Sequence, residues 1–333
     1  MNLTELIKSL SNADNISYVT DAVTVAGKEL IKNCEIKNFN DGSLAAFINK
    51  GKEKTVLFDA HIDQIGMIVT KVNDNGFLKV SNVGGIDERL LAATPVNVYG
   101  KRKITGVFCS TPPHLVKADE EKSVKKITEM AIDTGLSDAN LIVSEGDVVT
   151  YSVTATELKN GIVTGKSLDN RAGVAALIRA VELISQSDDT NYNVIILLSI
   201  GEELGLRGAK LKAFDMNIDF AVAVDVSFGN CPGVSSDKTA KLGSGAMIGV
   251  SPVLSSEITK KLITAAKVND INYTLEVMGG NTSTNADELS LVKSGIPCGL
   301  VSIPLRNMHT PVEVVDVNDV ESTARILAAF VKE

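Results

Sequence analysis

The sequence predicts an α/β protein interrupted by a β-rich module. After Gly165, apolar strands alternate with amphipathic helical stretches, the texture of a sheet flanked by helices. Between about Gly66 and Lys166 that alternation gives way to short β-prone pieces separated by turn dipeptides. A length of 333 residues suggests roughly two domains, one of which can be inserted into the other.

The elements follow in order. The first segment reads as a helix, because Ile16, Val19, Val23, Ala26 and Leu30 fall on one face, with Gly27 a local weakness. Thr55-Val56-Leu57-Phe58 is short, apolar and β-prone, and it runs directly into Asp59-Ala60-His61-Ile62-Asp63. In the module, Asn75-Gly76, Gly84-Gly85, Gly100-Lys101 and Asn160-Gly161 mark turns. Val174, Leu177, Ile178, Val181 and Ile184 then form a helical stripe, followed by a buried strand over Asn193 to Ile200. Phe220 to Val224 and Cys298 to Ile303 add strands, and Glu321 to Lys332 supplies a last helix carrying Ile326, Leu327 and Phe330. These changes of texture set the expected division: residues 1–65 and 165–333 as one discontinuous domain, and 66–164 as the β-rich insert. No internal repeat or low-complexity tract interrupts it.

Composition narrows the partners. Hydrophobic residues make up 44% and charged residues 22%, the mixture of a globular protein rather than a disordered one. With 33 Lys+Arg against 41 Asp+Glu, a net charge of −8 and no basic run longer than Lys101-Arg102-Lys103, nucleic acid is not an expected partner. The longest apolar run, Val194 to Ile200, falls far short of the roughly 20 residues that span a bilayer. Cys34, Cys109, Cys231 and Cys298 show no paired spacing and read as free, mostly buried thiols of a reducing compartment. The opening residues lack the apolar stretch and cleavage site of a secretory signal, so the expected location is cytoplasmic.

The chemistry lies at the strand ends. His61, Glu203 and Asp225 each come at or just after the end of an apolar strand, and His309 follows another by a few residues. In an open α/β sheet, ligands gather outside the carboxyl ends of the strands, so distant segments converge there. Asp169 joins them at a sharp turn ahead of the helix that begins near Asn170. Imidazole nitrogen with carboxylate oxygen suits Zn²⁺, Co²⁺ or Mn²⁺. Glu202-Glu203 follows Ile195 to Gly201, so a strand delivers adjacent carboxylates whose side chains point differently. One can ligate metal while the other moves a proton, although a solvated helix start would carry the same pair.

Asp59-Ala60-His61-Ile62-Asp63-Gln64-Ile65-Gly66, Ser167-Leu168-Asp169-Asn170-Arg171-Ala172-Gly173, Gly201-Glu202-Glu203-Leu204-Gly205-Leu206-Arg207-Gly208, Ala223-Val224-Asp225 and Met308-His309-Thr310-Pro311 together resemble the motifs of the M42 metallo-aminopeptidases. That family includes glutamyl, leucyl, deblocking and tetrahedral aminopeptidases. The segments occur in the family's order, and the resemblance covers essentially the whole chain. It implies an α/β/α domain holding two divalent metal ions, Zn²⁺ first with Co²⁺ or Mn²⁺ as alternatives. Asp169 would bridge the ions, His61 and Asp225 would complete one site, and Glu203 and His309 the other. Glu202 would be the general base, and Asp63 would hold His61. The implied substrates are peptides, and the implied assembly is a dimer-based homo-oligomer, up to a dodecamer, built in part by the β-module.

Two departures from the family pattern stand out: Gly201 where Gln is common, and Asn285 where many members carry Asp, in a region expected to shape substrate binding. His114 belongs to the β-module, follows no strand of the sheet and reads as structural. A glycosidase could use paired carboxylates such as Glu202 and Asp169, but sugar clefts favour aromatic platforms, and this chain has no Trp and 4% aromatic residues. A scaffold descended from a peptidase would have lost a ligand or the base, and none is missing.

Overall fold

The computed structural model describes residues 2–116, 124–187 and 189–333. The apolar runs form the centre of an 11-stranded mixed sheet, in which Tyr192–Ser199, Lys54–His61, Phe220–Phe228 and Cys298–Arg306 lie side by side and parallel. Side chains alternate across it. Along Lys54–His61, Val56, Phe58 and Ala60 enter one apolar layer and Leu57 the other, so both faces need cover. Helices Leu3–Asn12, Asp21–Leu30, Leu168–Ser185, Ser256–Val268 and Val317–Phe330 cover the first face, and Arg207–Phe214 and Asn285–Leu289 the second. On the first face the ring of Phe330 packs 6.2 Å from Phe58 and 6.1 Å from Phe220, contacts worth roughly 0.5–1.5 kcal/mol each beyond area burial. The result is the three-layer α/β/α arrangement that the resemblance implied.

Residues between Gly66 and Tyr151 build a closed barrel from Gly66–Val72, Leu78–Val83, Pro95–Tyr99, Lys103–Phe108, Ile132–Asp133 and Val148–Tyr151. Its inward residues, among them Met67, Val80, Val98 and Phe108, make a core separate from that of the large sheet. Ile132–Asp133 joins Leu78–Val83 to Lys103–Phe108 and closes the ring, covering part of the ladder edge that a small β-module otherwise has to protect. The barrel runs from Gly66 to Tyr151, and the two strands that follow lie outside it. Thr156–Glu157 pairs with Ile162–Gly165, which pairs in turn with Glu313–Asp316, so the two strands extend the large sheet. The turn between them, Asn160-Gly161, has positive φ at both residues, as a tight hairpin requires.

The N-terminal expectation needs correction. Ile16 and Val19 belong to a small hairpin, Asn15–Ile16 with Val19–Thr20, and the helix begins only at Asp21. An earlier helix, Leu3–Asn12, is capped by the Asn2 side chain and buries Leu6, Ile7 and Leu10. Local apolar spacing could not separate the hairpin from the helix that follows it. The last helix likewise starts earlier than expected, at Val317, because Asp316 caps it through the amide of Asn318. The cysteines are free, but only Cys298 is buried and the other three are half-buried. No helix among the described residues is long and apolar enough to cross a membrane.

Candidate metal centre

The parallel strands all point their carboxyl ends to one side, and the residues singled out from the sequence meet there. His61 ends its strand and is 1% exposed. Its Nε2 lies 3.1 Å from Asp169 Oδ1, 3.7 Å from Asp225 Oδ1 and 3.9 Å from Glu202 Oε2. The other oxygen of Asp169, Oδ2, lies 3.3 Å from His309 Nε2, which is 3.5 Å from Glu203 Oε2. One carboxylate therefore stands between two histidines, each accompanied by further carboxylates. Asp225 reaches the group from within its strand rather than beyond it, because the strand runs on to Phe228.

Local structure explains the placement. Asp169 precedes the regular part of its helix: Ser167 has φ +56, and Asp169 and Asn170 are non-helical, so the carboxylate is presented inward before the helix sets its direction. Gly201 has φ +79 at the turn that lifts Glu202 and Glu203 off the strand, and glycine takes that conformation without steric cost. His309, with φ +62, is held by Glu313, whose carboxylate accepts the amide of His309 at 2.8 Å and that of Asp169 at 3.0 Å. Asp63 spans His61 and the glutamate loop. Its Oδ1 is 3.5 Å from His61 Nδ1, and its oxygens accept the amides of Glu202 at 3.4 Å and Glu203 at 3.3 Å.

Sequence reading missed several supporting residues. Glu313 is one, and its signal was an acid four residues past His309 at the start of a buried strand. Arg171 is completely buried and donates to the carbonyls of Leu10 and Ala13 and to Gln64 Oε1, tying the first helix to the segment behind His61 and Asp63. Gly84 and Gly85 leave the barrel and press on the site: a Cβ on Gly85 would come within 2.7 Å of His309 Nδ1. Asn285, expected near the substrate, is buried instead and donates to Asp59 Oδ2 at 2.8 Å and Ser199 Oγ at 3.1 Å. Burial pushes Asp59 up to about 7, so a donor amide suits this position where a second carboxylate would add repulsion. His114 stands exposed in a short turn, Pro113–Leu115, outside the pocket.

The electrostatics fit a cation site. Among the described residues, no lysine or arginine makes an ion pair with Asp169, Glu202, Glu203 or Asp225. Burial pushes Glu202 up to about 8, opposed by His61 and reinforced by Asp225, Asp169 and Glu203. Burial and the charge of Asp169 push Glu203 to about 8 as well, against the pull of His61 and His309. His61 turns Nε2 toward these carboxylates, and its buried Nδ1, on the side of Asp63, has no hydrogen-bond partner among the described residues. His61, Asp169 and Glu203 offer ligand atoms within 4.8 Å of one another, as do His61, Glu202 and Asp225. This nitrogen and oxygen donor set fits divalent transition metals, whose charge would offset the carboxylate repulsion.

That repulsion has a measurable consequence for the metal-free chain. The glutamates hold protons up to about pH 8 in the fold, against about 4.3 for a free side chain, and His309, bonded to Asp169, holds its proton to about 9. The folded chain thus binds more protons than the unfolded one across this span, so its stability falls as pH rises. The lowering of Asp169 by its histidines acts only in acid, below the window. Thermal melting of chelator-stripped protein is expected to shift down between pH 6 and pH 8.5, with the loss suppressed by added metal. A stripped protein that gained stability on alkalinisation would contradict this reading.

Two histidines gathered around one aspartate at the strand ends of an α/β/α sheet form a candidate centre for divalent metal. The M42 glutamyl aminopeptidase profile matches residues 42–326, and the chain belongs to this family of metal-dependent aminopeptidases. It is 27% identical to the lysyl aminopeptidase of Pyrococcus furiosus, over 99% of this chain and 96% of that protein. The TET1 peptidase of Pyrococcus horikoshii, described as assembling into a tetrahedron or a large octahedral shell, superposes with a TM-score of 0.87 at 30% identity, with 100% of each chain covered. A Thermotoga maritima structure titled endoglucanase superposes at 0.77 with 26% identity, covering 98% of this chain and 96% of that one.

Proposed function

We propose that this aminopeptidase removes N-terminal residues from peptides at a centre that would hold two divalent ions, with His61 and Asp225 as ligands on one side of Asp169, Glu203 and His309 on the other, and Asp169 serving both. The observation that carries the proposal is the division of Asp169: Oδ1 faces His61 and Oδ2 faces His309. When bound, such a pair of ions supplies an activated water and polarises the scissile carbonyl. The remaining work falls to the chain. Asp63 and Glu313 fix the backbone amides that carry the ligands, so the donors are arranged before substrate arrives. Glu202 takes the proton of the attacking water and delivers one to the leaving amine. Zn²⁺, Co²⁺ and Mn²⁺ all suit the donors.

A glycoside substrate is not favoured, because Phe228 is the one aromatic residue among those lining the pocket. By likeness to the shell-forming peptidase, the chain works as a homo-oligomer in which the barrel contributes to contacts between copies. Four free thiols suit the cytoplasm. The test is removal of metal: chelation is expected to abolish release of the first residue from an unblocked peptide, and Zn²⁺, Co²⁺ or Mn²⁺ to restore it. An N-acetylated peptide should remain intact throughout. Full activity in protein shown by metal analysis to be stripped would end the proposal.

A further inference from the structure

The pocket extends beyond the candidate ligands along one face of the sheet, and strand register shows what stands there. Asp225 pairs with Ser302, Ser302 with Met247 in Ala246–Val250, and Met247 with Thr274 in Tyr273–Val277. Two positions along, and so on the same face, come Ser227 beside Asp225 and Glu276 beside Thr274. All of these residues line one pocket of about 810 Å³ that also contains His61, Asp169, Glu202, Glu203 and His309.

Glu276 is the acid of this outer wall. Its Oε1 accepts the hydroxyl of Ser227 and its Oε2 that of Ser302 at 2.7 Å. Both donors are neutral, and no ion pair to Glu276 exists among the described residues. The hydroxyls orient the carboxylate without neutralising it, and its remaining lone pairs are left for a ligand. Met247, Met278 and Leu300 line the same pocket with apolar surface. A long aliphatic side chain ending in a cation matches both features. An acidic side chain would meet like charge, and a short apolar one would cover the carboxylate without pairing it.

We infer that Glu276 selects peptides whose first residue is lysine or arginine, its carboxylate receiving the side-chain cation while Met247, Met278 and Leu300 line the methylenes. The inference rests on the aminopeptidase reading of the centre and adds its substrate class. Lys238 and Lys241 also line the pocket, but both are exposed, where solvent and salt screen them, and exposed Asp237 lies beside Lys238. Among the acids lining the pocket, Glu276 and the exposed Asp237 are the two outside the proposed metal centre.

The test compares L-lysine with L-norleucine, which has the same straight chain without the amine. In the metal-loaded protein, kcat/KM for the lysyl over the norleucyl anilide is expected to be on the order of tenfold to a hundredfold, the worth of a hydrogen bond to a charged group. Glu276→Gln should bring that ratio close to one, chiefly through KM of the lysyl substrate. A second readout needs no turnover: calorimetry on the chelated protein should show L-lysinamide binding more tightly than L-norleucinamide by a similar factor, and Glu276→Gln should erase the difference. A wild-type ratio near one in both measurements, or a ratio that survives Glu276→Gln, overturns the inference. Should the variant fail to fold, the wild-type ratios alone decide. A retained binding preference without hydrolysis would support the role of Glu276 and count against the aminopeptidase centre, whereas hydrolysis without preference would do the reverse.

Discussion

Glu202→Gln is expected to lower turnover by about 10²–10⁴-fold while leaving metal content and folding near normal. The amide keeps the shape of the side chain and loses the ability to carry a proton. Position favours Glu202 over Glu203 for this role. Its side chain is 13% exposed to the pocket against 6% for Glu203, and it stands 3.9 Å from His61 rather than against His309. Both glutamates nonetheless lie close enough to His61 to share a cation with it. Glu203→Gln should lose metal, because an amide is a poorer ligand for a divalent ion than a carboxylate, and excess metal should restore part of its activity. Bound metal and turnover measured on both variants decide the matter. If Glu202→Gln is the one that loses metal and is rescued, the two roles are reversed.

Asp169→Asn should have the wider effect. Removing one end ligand would weaken one site, but an amide at the shared position has only one oxygen to offer where ligand groups stand on two sides. Metal content is expected to fall from about two ions per chain toward none, and turnover with it, without rescue at metal concentrations that restore Glu203→Gln. The fold should persist, since the backbone of Asp169 is held independently by Glu313 and the neutral side chain relieves crowding among buried carboxylates. Metal analysis beside circular dichroism checks this. A folded Asp169→Asn protein that keeps both ions would show that Asp169 does not bridge.

The motif segments were legible because each is local: a strand of apolar residues ending in His61, another ending ahead of Glu202 and Glu203, and a helix stripe starting after Asp169. Periodicity of two and of 3.6 places such residues at element ends without knowledge of their neighbours. The same reasoning failed from Ile16 to Leu30, where a hairpin and a helix share one run of apolar spacing, and Thr156–Glu157 and Ile162–Gly165, whose strands look like the barrel's, pair elsewhere.

By itself, then, the sequence determined the α/β class and placed its candidate ligands at element ends, since these depend on residue type and short spacing. Only the tertiary structure decided how they are supported. Asp63 reaches the amide of Glu202 across 139 positions, Glu313 that of Asp169 across 144, and Asn285 the carboxylate of Asp59 across 226. It also brought Gly85 of the barrel against His309 and set Glu276 on the same face as Asp225. A hydrogen bond or a close packing contact requires two groups within a few ångströms, and for residues so far apart in the chain that proximity is a property of the folded sheet alone.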